Sequence, residues 1–370
     1  MKQGRPLRLF AKPHSLTLRA VALRVFPFAY ARHKATAPSS QSSDSRPMEW
    51  VPRSGHRRAQ LFILFVQGFS FVAVLMSVPS PTFASDAGLE GMLFARMATD
   101  ARGAALGAAG MGVSEGVSAL YANPAGSALQ KNLAFGTTYQ SRPGGFQGGS
   151  LFGLYPVGDE SCVAASLSLL THGDLRVTTD AIPDGTGELA GFLGVEGEVL
   201  GTQWINGDTA AGVGLRFLHE DLAGATAEGF AVDTGLAFAI NPALTAGVAI
   251  RGLGQEVKSK DVRDPFPLSV LLGGRFSLDP SPVRIYAGGN WAPNSVSSAG
   301  AGLEVGDFSG ISLRGSGEWR ETGTAGFAFG IGGRSEMWNV DYTWSSAGSL
   351  GGVHRVTLLL RFARPDKRPQ

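Results

Sequence analysis

From Lys131 onward, apolar residues recur at every second position, a period that leaves few folds open to the chain. Phe230, Val232, Thr234, Leu236, Phe238 and Ile240 alternate with Ala231, Asp233, Gly235, Ala237 and Ala239. Ala211 to Phe217, Trp338 to Trp344 and Val356 to Phe362 repeat the pattern. A period of two is that of a β-strand, whose side chains point to opposite faces in turn. Further segments begin near Leu133, Ser150, Val163, Val195, Leu244, Leu268, Val283, Ala299, Ile311 and Thr324, which makes fourteen. Each strand with its turn then takes about 17 residues, matching membrane-crossing strands of roughly 9–11 residues joined by short turns. A soluble sandwich puts large apolar residues inward and charge outward. Here one face is Leu, Val, Phe and Ile, while the other is Gly, Ala and Ser with scattered charge. That inversion predicts an all-β, 14-stranded antiparallel transmembrane β-barrel over 131–364, with greasy residues toward lipid and a small, mixed-charge lumen. Tyr139, Trp291, Trp319, Trp344 and Phe362 fall at segment ends, as interfacial girdles do.

The small face carries Arg216, Asp233, Arg251, Arg275, Arg284, Glu304, Arg314, Glu318 and Asp341, with Glu220 and Arg361. Positive and negative residues nearly balance, so paired ladders inside the barrel are the simplest reading. A selectivity lining is the functional alternative.

Residues 1–84 hold 12 Lys and Arg against 2 Asp and Glu, and the remainder holds 20 against 28. The basic balance therefore belongs to a leader, and the body lacks the electrostatic footprint of nucleic-acid binding. Arg53, Arg57 and Arg58 precede the apolar run Leu61–Val78 and then Pro79 to Ala84. This order predicts a secretory signal cleaved after Ala84, with a signal anchor as the alternative. Met48 opens a signal peptide of ordinary shape over 48–84, and 1–47 reads as a Pro-, Ser- and Arg-rich upstream extension, so Met1 and Met48 both stand as start codons. One cysteine, Cys162, excludes an internal disulfide and a Cys-based zinc site.

Catalytic patterns are missing. His172, His219 and His354 lie in different segments, and no G-x-S-x-G elbow, HExxH helix or D-x-D-x-D-G calcium loop occurs. Gly107 to Gly112 lacks the spacing of a dinucleotide turn and the strand before it. The chain reads as a non-enzyme without cofactor or metal.

Residues 85–130 break the period. Ala101–Gln130 is built of small residues, with a helix expected over Glu115–Ala122, Ser114 as its N-cap, and Asn123-Pro124 as its stop. It reads as a short, partly helical N-terminal plug, narrow enough for Gly and Ala to let its backbone approach the lumen. Its unpaired backbone groups would find partners among lumen Arg and Asp. Asn123 is the natural hinge, either a simple turn or part of a gate.

Asp100–Gln130, with ARGAALGAAG followed by SALYANPAGSAL, resembles the N-terminal hatch of FadL-like outer-membrane barrels, and specifically the PorV/PorQ-like branch. Asn123, Pro124 and Ala125 match the family's NPA triplet. Gly229–Leu236, Asn241–Glu256, the loop Asp261–Pro267 and the ending Asp341–Phe362 resemble that branch as well. The resemblance implies a fourteen-stranded barrel in the bacterial outer membrane, set in its lipid by the barrel-assembly machinery and plugged by its N-terminal segment. Its cargo would be hydrophobic small molecules, passed through a lateral opening, or secreted proteins escorted in type IX secretion. A static structural barrel is the other reading. Two features depart from the family. The stretch His172–Leu193, expected as the longest interstrand connection, is acidic and Gly-rich rather than greasy, and a basic tail, Ala363–Gln370, follows the terminal aromatic. Intact-mass measurement of the exported protein is expected to place its first residue at Ser85; retention of Leu61–Val78 would establish the anchor instead.

Overall fold

The structure, a computed structural model, describes residues 91–178, 181–259 and 262–362. The start codon, the cleavage site, the tail, Asp180 and Asp261 lie outside the described residues. Within them the chain forms sixteen strands, β1 to β16. They are β1 Leu133–Ser141, β2 Gln147–Val157, β3 Ser161–Arg176, β4 Leu189–Asn206, β5 Thr209–Leu222, β6 Ala225–Asn241 and β7 Leu244–Gly254. Then come the short β8 Val257–Ser259 and β9 Val262–Asp264. The rest are β10 Ser269–Ser277, β11 Val283–Trp291, β12 Ser298–Phe308, β13 Ile311–Arg320, β14 Ala325–Arg334, β15 Trp338–Ser346 and β16 Gly352–Phe362.

Fourteen of these, β1–β7 and β10–β16, pair antiparallel with their neighbours in sequence. The ring closes where β1 meets β16, from Leu133 opposite Phe362 to Ser141 opposite His354. Closure leaves no unpaired sheet edge, the condition for strands to stand in hydrocarbon. The remaining two, β8 and β9, form a hairpin in the β7–β10 connection that touches β6 at Glu228 opposite Lys258.

The two ends differ. Where the chain enters β1 and leaves β16, connections are two to five residues long. The opposite end holds the longer ones, 177–188 and 255–268. His172–Leu193 is therefore strand at both ends, because β3 and β4 stay paired out to Arg176 and Leu189, and the longest connection is the one carrying the hairpin.

Faces follow the predicted alternation. Phe230 is 68% exposed and Leu215 63%, while Asp233 between the β6 apolar positions is fully buried and Arg216 is 3% exposed. Exposed Tyr139, Trp291 and Trp319 lie at the long-loop end and exposed Phe362 at the other. An apolar outer band of this extent is what lipid contact requires and water does not tolerate.

Residues 91–130 occupy the interior as the plug. The helix is not where the sequence placed it. α1 spans Ala101–Gly110, its N-cap Asp100 accepting from the Gly103 amide at 2.9 Å, and it breaks at Gly107, whose φ of 50° is left-handed. Glu115–Ala122 contributes only a 3-10 turn, Gly116–Leu120, with no side-chain cap. Ser114 instead accepts from the Asn123 amide. Alanine, the strongest helix former, fills five of the first nine positions of α1, and burial leaves no room for bulkier residues. Leu215→Arg, which directs a charge outward from the middle of β5, is expected to cost about 2–4 kcal/mol of barrel stability in lipid; an unchanged denaturation midpoint would contradict the lipid-facing assignment.

Candidate functional site

The site is the contact between plug and wall. It begins with glycines on the inner face of the strands. A methyl on Gly235 (β6) would land on the Asn123 side-chain oxygen, and one on Gly247 (β7) on the Gly112 carbonyl. One on Gly212 (β5) would sit 2.6 Å from the Ala125 nitrogen. On the plug side, Gly112 stands against the backbone at Gly273 of β10. The wall is glycine-rich because backbone approaches backbone there, leaving no space for a Cβ.

Asn123 is buried at the centre of that contact. Its Nδ2 donates to Gly112 O at 2.7 Å and to Leu236 O of β6 at 2.9 Å, and its Oδ1 accepts from Ala125 N at 3.1 Å. With Pro124 at the first position, it opens the 3-10 turn Pro124–Leu129 rather than ending a helix. The NPA triplet thus ties the plug to itself and to the wall. Further threads run through Thr357, which accepts from Ala101 N at 2.8 Å, Thr343, which donates to Ala101 O at 2.6 Å, and Ser127 with Thr202 at 3.1 Å.

Two charge clusters complete the seam. The first joins β4 to β7. Asp233 faces Arg251 Nε at 2.8 Å and Arg216 Nε at 2.9 Å, and accepts from Gly252 N at 2.7 Å. Gly252, with φ of 81°, lies in a bulge where Arg251 and Gly252 together oppose Asp233. Glu198 stands 3.3 Å from Arg251 and Glu196 3.5 Å from Arg216. The same guanidiniums donate to plug carbonyls, Arg251 to Leu120 O at 3.0 Å and Arg216 to Ala95 O at 3.2 Å.

The second cluster crosses the lumen. Glu304 (β12) pairs with Arg102 of α1 at 2.8 Å and Arg314 (β13) at 2.9 Å, accepts from the Tyr286 hydroxyl at 2.8 Å, and has Arg284 at 3.6 Å. Arg314 also meets Asp341 of β15, and plug residue Glu115 meets Arg275 of β10 and stands 3.5 Å from Arg102.

Of the lumen residues read from the sequence, Arg216, Asp233 and Arg251 meet in the first cluster, and Arg275, Arg284, Glu304, Arg314 and Asp341 in the second. Glu318 stands apart, bonded to Arg320 at 2.9 Å, Glu220 lies near Asp264 of the hairpin, and Arg361 bonds the Ser335 carbonyl at the short-turn rim. Sequence reasoning missed Glu196, Glu198, Arg102 and Glu115; for the two strand residues, the alternation of Glu196 and Glu198 with Val195, Gly197 and Val199 was an available signal. It also missed Arg355 of β16, 5% exposed, which donates to Ser345 Oγ at 3.4 Å.

The lumen is not small and mixed-charge throughout. Toward the long-loop end it is apolar: Leu170, Leu218 and Phe266 are buried with Met92 and Phe94 of the plug segment, and Phe146 and Phe192 pack against them. Phe94 and Phe146 each meet Phe192 edge-on, at 6.3 and 5.7 Å between ring centres. Below the plug, at the short-turn end, lies a polar cavity of about 710 Å³. Among the described residues no His, Cys, Asp or Glu cluster could hold a metal ion.

A closed fourteen-stranded barrel, stoppered by its own N-terminal segment and apolar outside, is the class this fold and seam define. No family model and no curated protein matches the chain. Solved structures that it resembles include a toluene transporter, a monoaromatic hydrocarbon channel and a FadL homologue. The toluene transporter TodX of P. putida is 11% identical over 72% of this chain and 100% of its own, with a TM-score of 0.56. The CymD monoaromatic hydrocarbon channel is 9% identical over 73% and 99%, with a TM-score of 0.55. A Pseudomonas aeruginosa FadL homologue is 10% identical over 69% and 98%, with a TM-score of 0.50. At such identity the likeness is one of fold.

Arg251→Met is expected to cost about 3–5 kcal/mol, because Asp233 and Glu198 lose a buried partner. Arg355→Met, which removes a buried cation with no carboxylate within ion-pair distance among the described residues, is expected to be neutral or stabilising. Unfolding midpoints of the refolded variants check both, and equal losses would contradict the assignment of the pairs.

Proposed function

We propose that this chain is an outer-membrane conduit of FadL type for small hydrophobic compounds, held shut by its plug. The observation that carries the reading is the apolar upper lumen, where Leu170, Phe192, Leu218 and Phe266 face inward behind the long loops. A purely aqueous pore has no use for such a lining, whereas an apolar solute leaving water gains about 25 cal/mol per Å² buried there. The fold of TodX and CymD, one a toluene transporter and the other a monoaromatic hydrocarbon channel, supports the same cargo class. Outer-membrane placement follows from the apolar band and the closed ring, with lipid and the barrel-assembly machinery as the partners such a barrel needs. The PorV/PorQ branch and an escort role in protein secretion rest on the sequence resemblance alone.

In this reading the Asn123, Pro124 and Ala125 triplet is the catch of the gate. It joins the plug to β6 through one side chain, and freeing it loosens the packing of glycines on three strands, Gly212, Gly235 and Gly247. Radiolabelled toluene entry into proteoliposomes tests both parts. Phe192→Glu is expected to abolish uptake while the barrel still folds, and Asn123→Ala to raise passive leak several-fold. Toluene uptake indifferent to Phe192→Glu would remove the cargo reading, and a leak unchanged in Asn123→Ala would remove the catch.

A further inference from the structure

The polar cavity under the plug has a charge balance that the conduit reading does not use. It is lined by Arg102, Arg275, Arg284, Arg314, Arg334 and Arg361, and its acids are Asp100, Glu115, Asp279, Glu304 and Asp341. Asp100 Oδ2 accepts from Gly103 N and Ser118 Oγ at 2.9 Å each inside the plug, and its Oδ1 is buried without a hydrogen-bond partner. Around Glu304, Glu115 and Asp341, four arginines share three carboxylates. Arg284 is the loosest of them, 3.6 Å from Glu304 with its side chain 47% exposed. At the rim, Arg334 and Arg361 have no carboxylate within ion-pair distance among the described residues. The Nε groups of Arg275 and Arg361 and the Oδ1 of Asn339 are buried without a hydrogen-bond partner. The cavity's size lies within the range of small-molecule sites, roughly 300–1,000 Å³.

We infer that this vestibule binds a small organic oxyanion, a carboxylate or phosphate that also carries a hydroxyl, from the compartment at the short-turn end. Guanidinium forks recognise carboxylate and phosphate through paired, charge-assisted hydrogen bonds. Arg284 and Arg334 supply the free forks, the Arg275 and Arg361 Nε groups gain acceptors, and a ligand hydroxyl gives Asn339 Oδ1 its donor. The wall's own carboxylates already hold Arg102 and Arg314, so the ligand's charge is drawn to the rim side. The inference stands whatever crosses the barrel above.

Isothermal titration of the whole protein in an uncharged detergent at low salt tests it, with citrate and inorganic phosphate as probes and toluene as the apolar comparison. Citrate is expected to bind saturably, at least ten-fold more weakly to the Arg284→Gln/Arg334→Gln double variant, and unchanged in Arg320→Gln at the far end. Raised salt is expected to weaken it. Saturation by phosphate alone would overturn the carboxylate half of the inference and narrow the ligand to a phosphate. No saturable heat with either anion, or equal affinity in the double variant, would overturn the inference. The toluene uptake of the Arg334→Gln single variant, which leaves both charge clusters intact, is expected to match that of the parent, which separates this site from the conduit.

Discussion

A backbone threaded through a closed sheet must find partners for its amides and carbonyls in a space a few ångströms wide, and the rest of this structure answers to that constraint. The ring of strands pairs most of its own backbone, so it offers the plug chiefly side chains and the occasional strand carbonyl. Two devices meet the demand. Glycines on the wall (Gly212, Gly235, Gly247) let plug and strand approach to contact distance. Long guanidiniums reach in from farther away, Arg251 to Leu120 O and Arg216 to Ala95 O. Buried cations that serve carbonyls need counter-charges, and Asp233, Glu198 and Glu196 supply them from neighbouring strands. The bulge at Arg251–Gly252 brings Asp233 into range of a backbone amide as well as of two arginines.

The barrel was readable in the chain because alternation is a long-range, repeated signal. Fourteen segments of it leave little freedom, and each starts within a few residues of an observed strand. The plug was harder. Its helix at Ala101–Gly110 looked like loop because of Gly103, Gly107 and Gly110, and the Asp100 cap that announces it is a single residue. The run after Ser114 looked helical because its sequence permits a helix, but tertiary packing against the wall draws it into 3-10 turns. Asn123 was expected to stop a helix or to bond its own turn; it opens the turn Pro124–Leu129. The charge partners of the plug, Arg102 and Glu115, could not be told from solvated residues without knowing what they face. The apolar upper lumen escaped for a similar reason. Leu170, Phe192 and Leu218 sit where two adjacent apolar residues blur the alternation, and which of the pair turns inward is decided by register.

The lumen therefore has storeys of different chemistry: apolar behind the long loops, a charged seam at the plug, and a cationic vestibule behind the short turns. Such a stack separates tasks. In the proposed conduit an apolar solute would be favoured above and disfavoured below, so passage would be decided at the seam. Holding the seam with ion pairs, guanidinium–carbonyl bonds and one well-bonded asparagine, rather than with one bond, would suit a stopper that stays in place yet shares its wall with the proposed passage.

The account stands or falls on whether the segment before Lys131 is a fixed, hydrogen-bonded filling of the barrel. Amide hydrogen exchange of the full protein in lipid nanodiscs reads this directly. Amides of α1, Asn123 and Ala125 are expected to exchange as slowly as those of β5 and β6. Exchange in this segment at the rate of the loop at 177–188 would mean that the plug does not occupy the lumen as described.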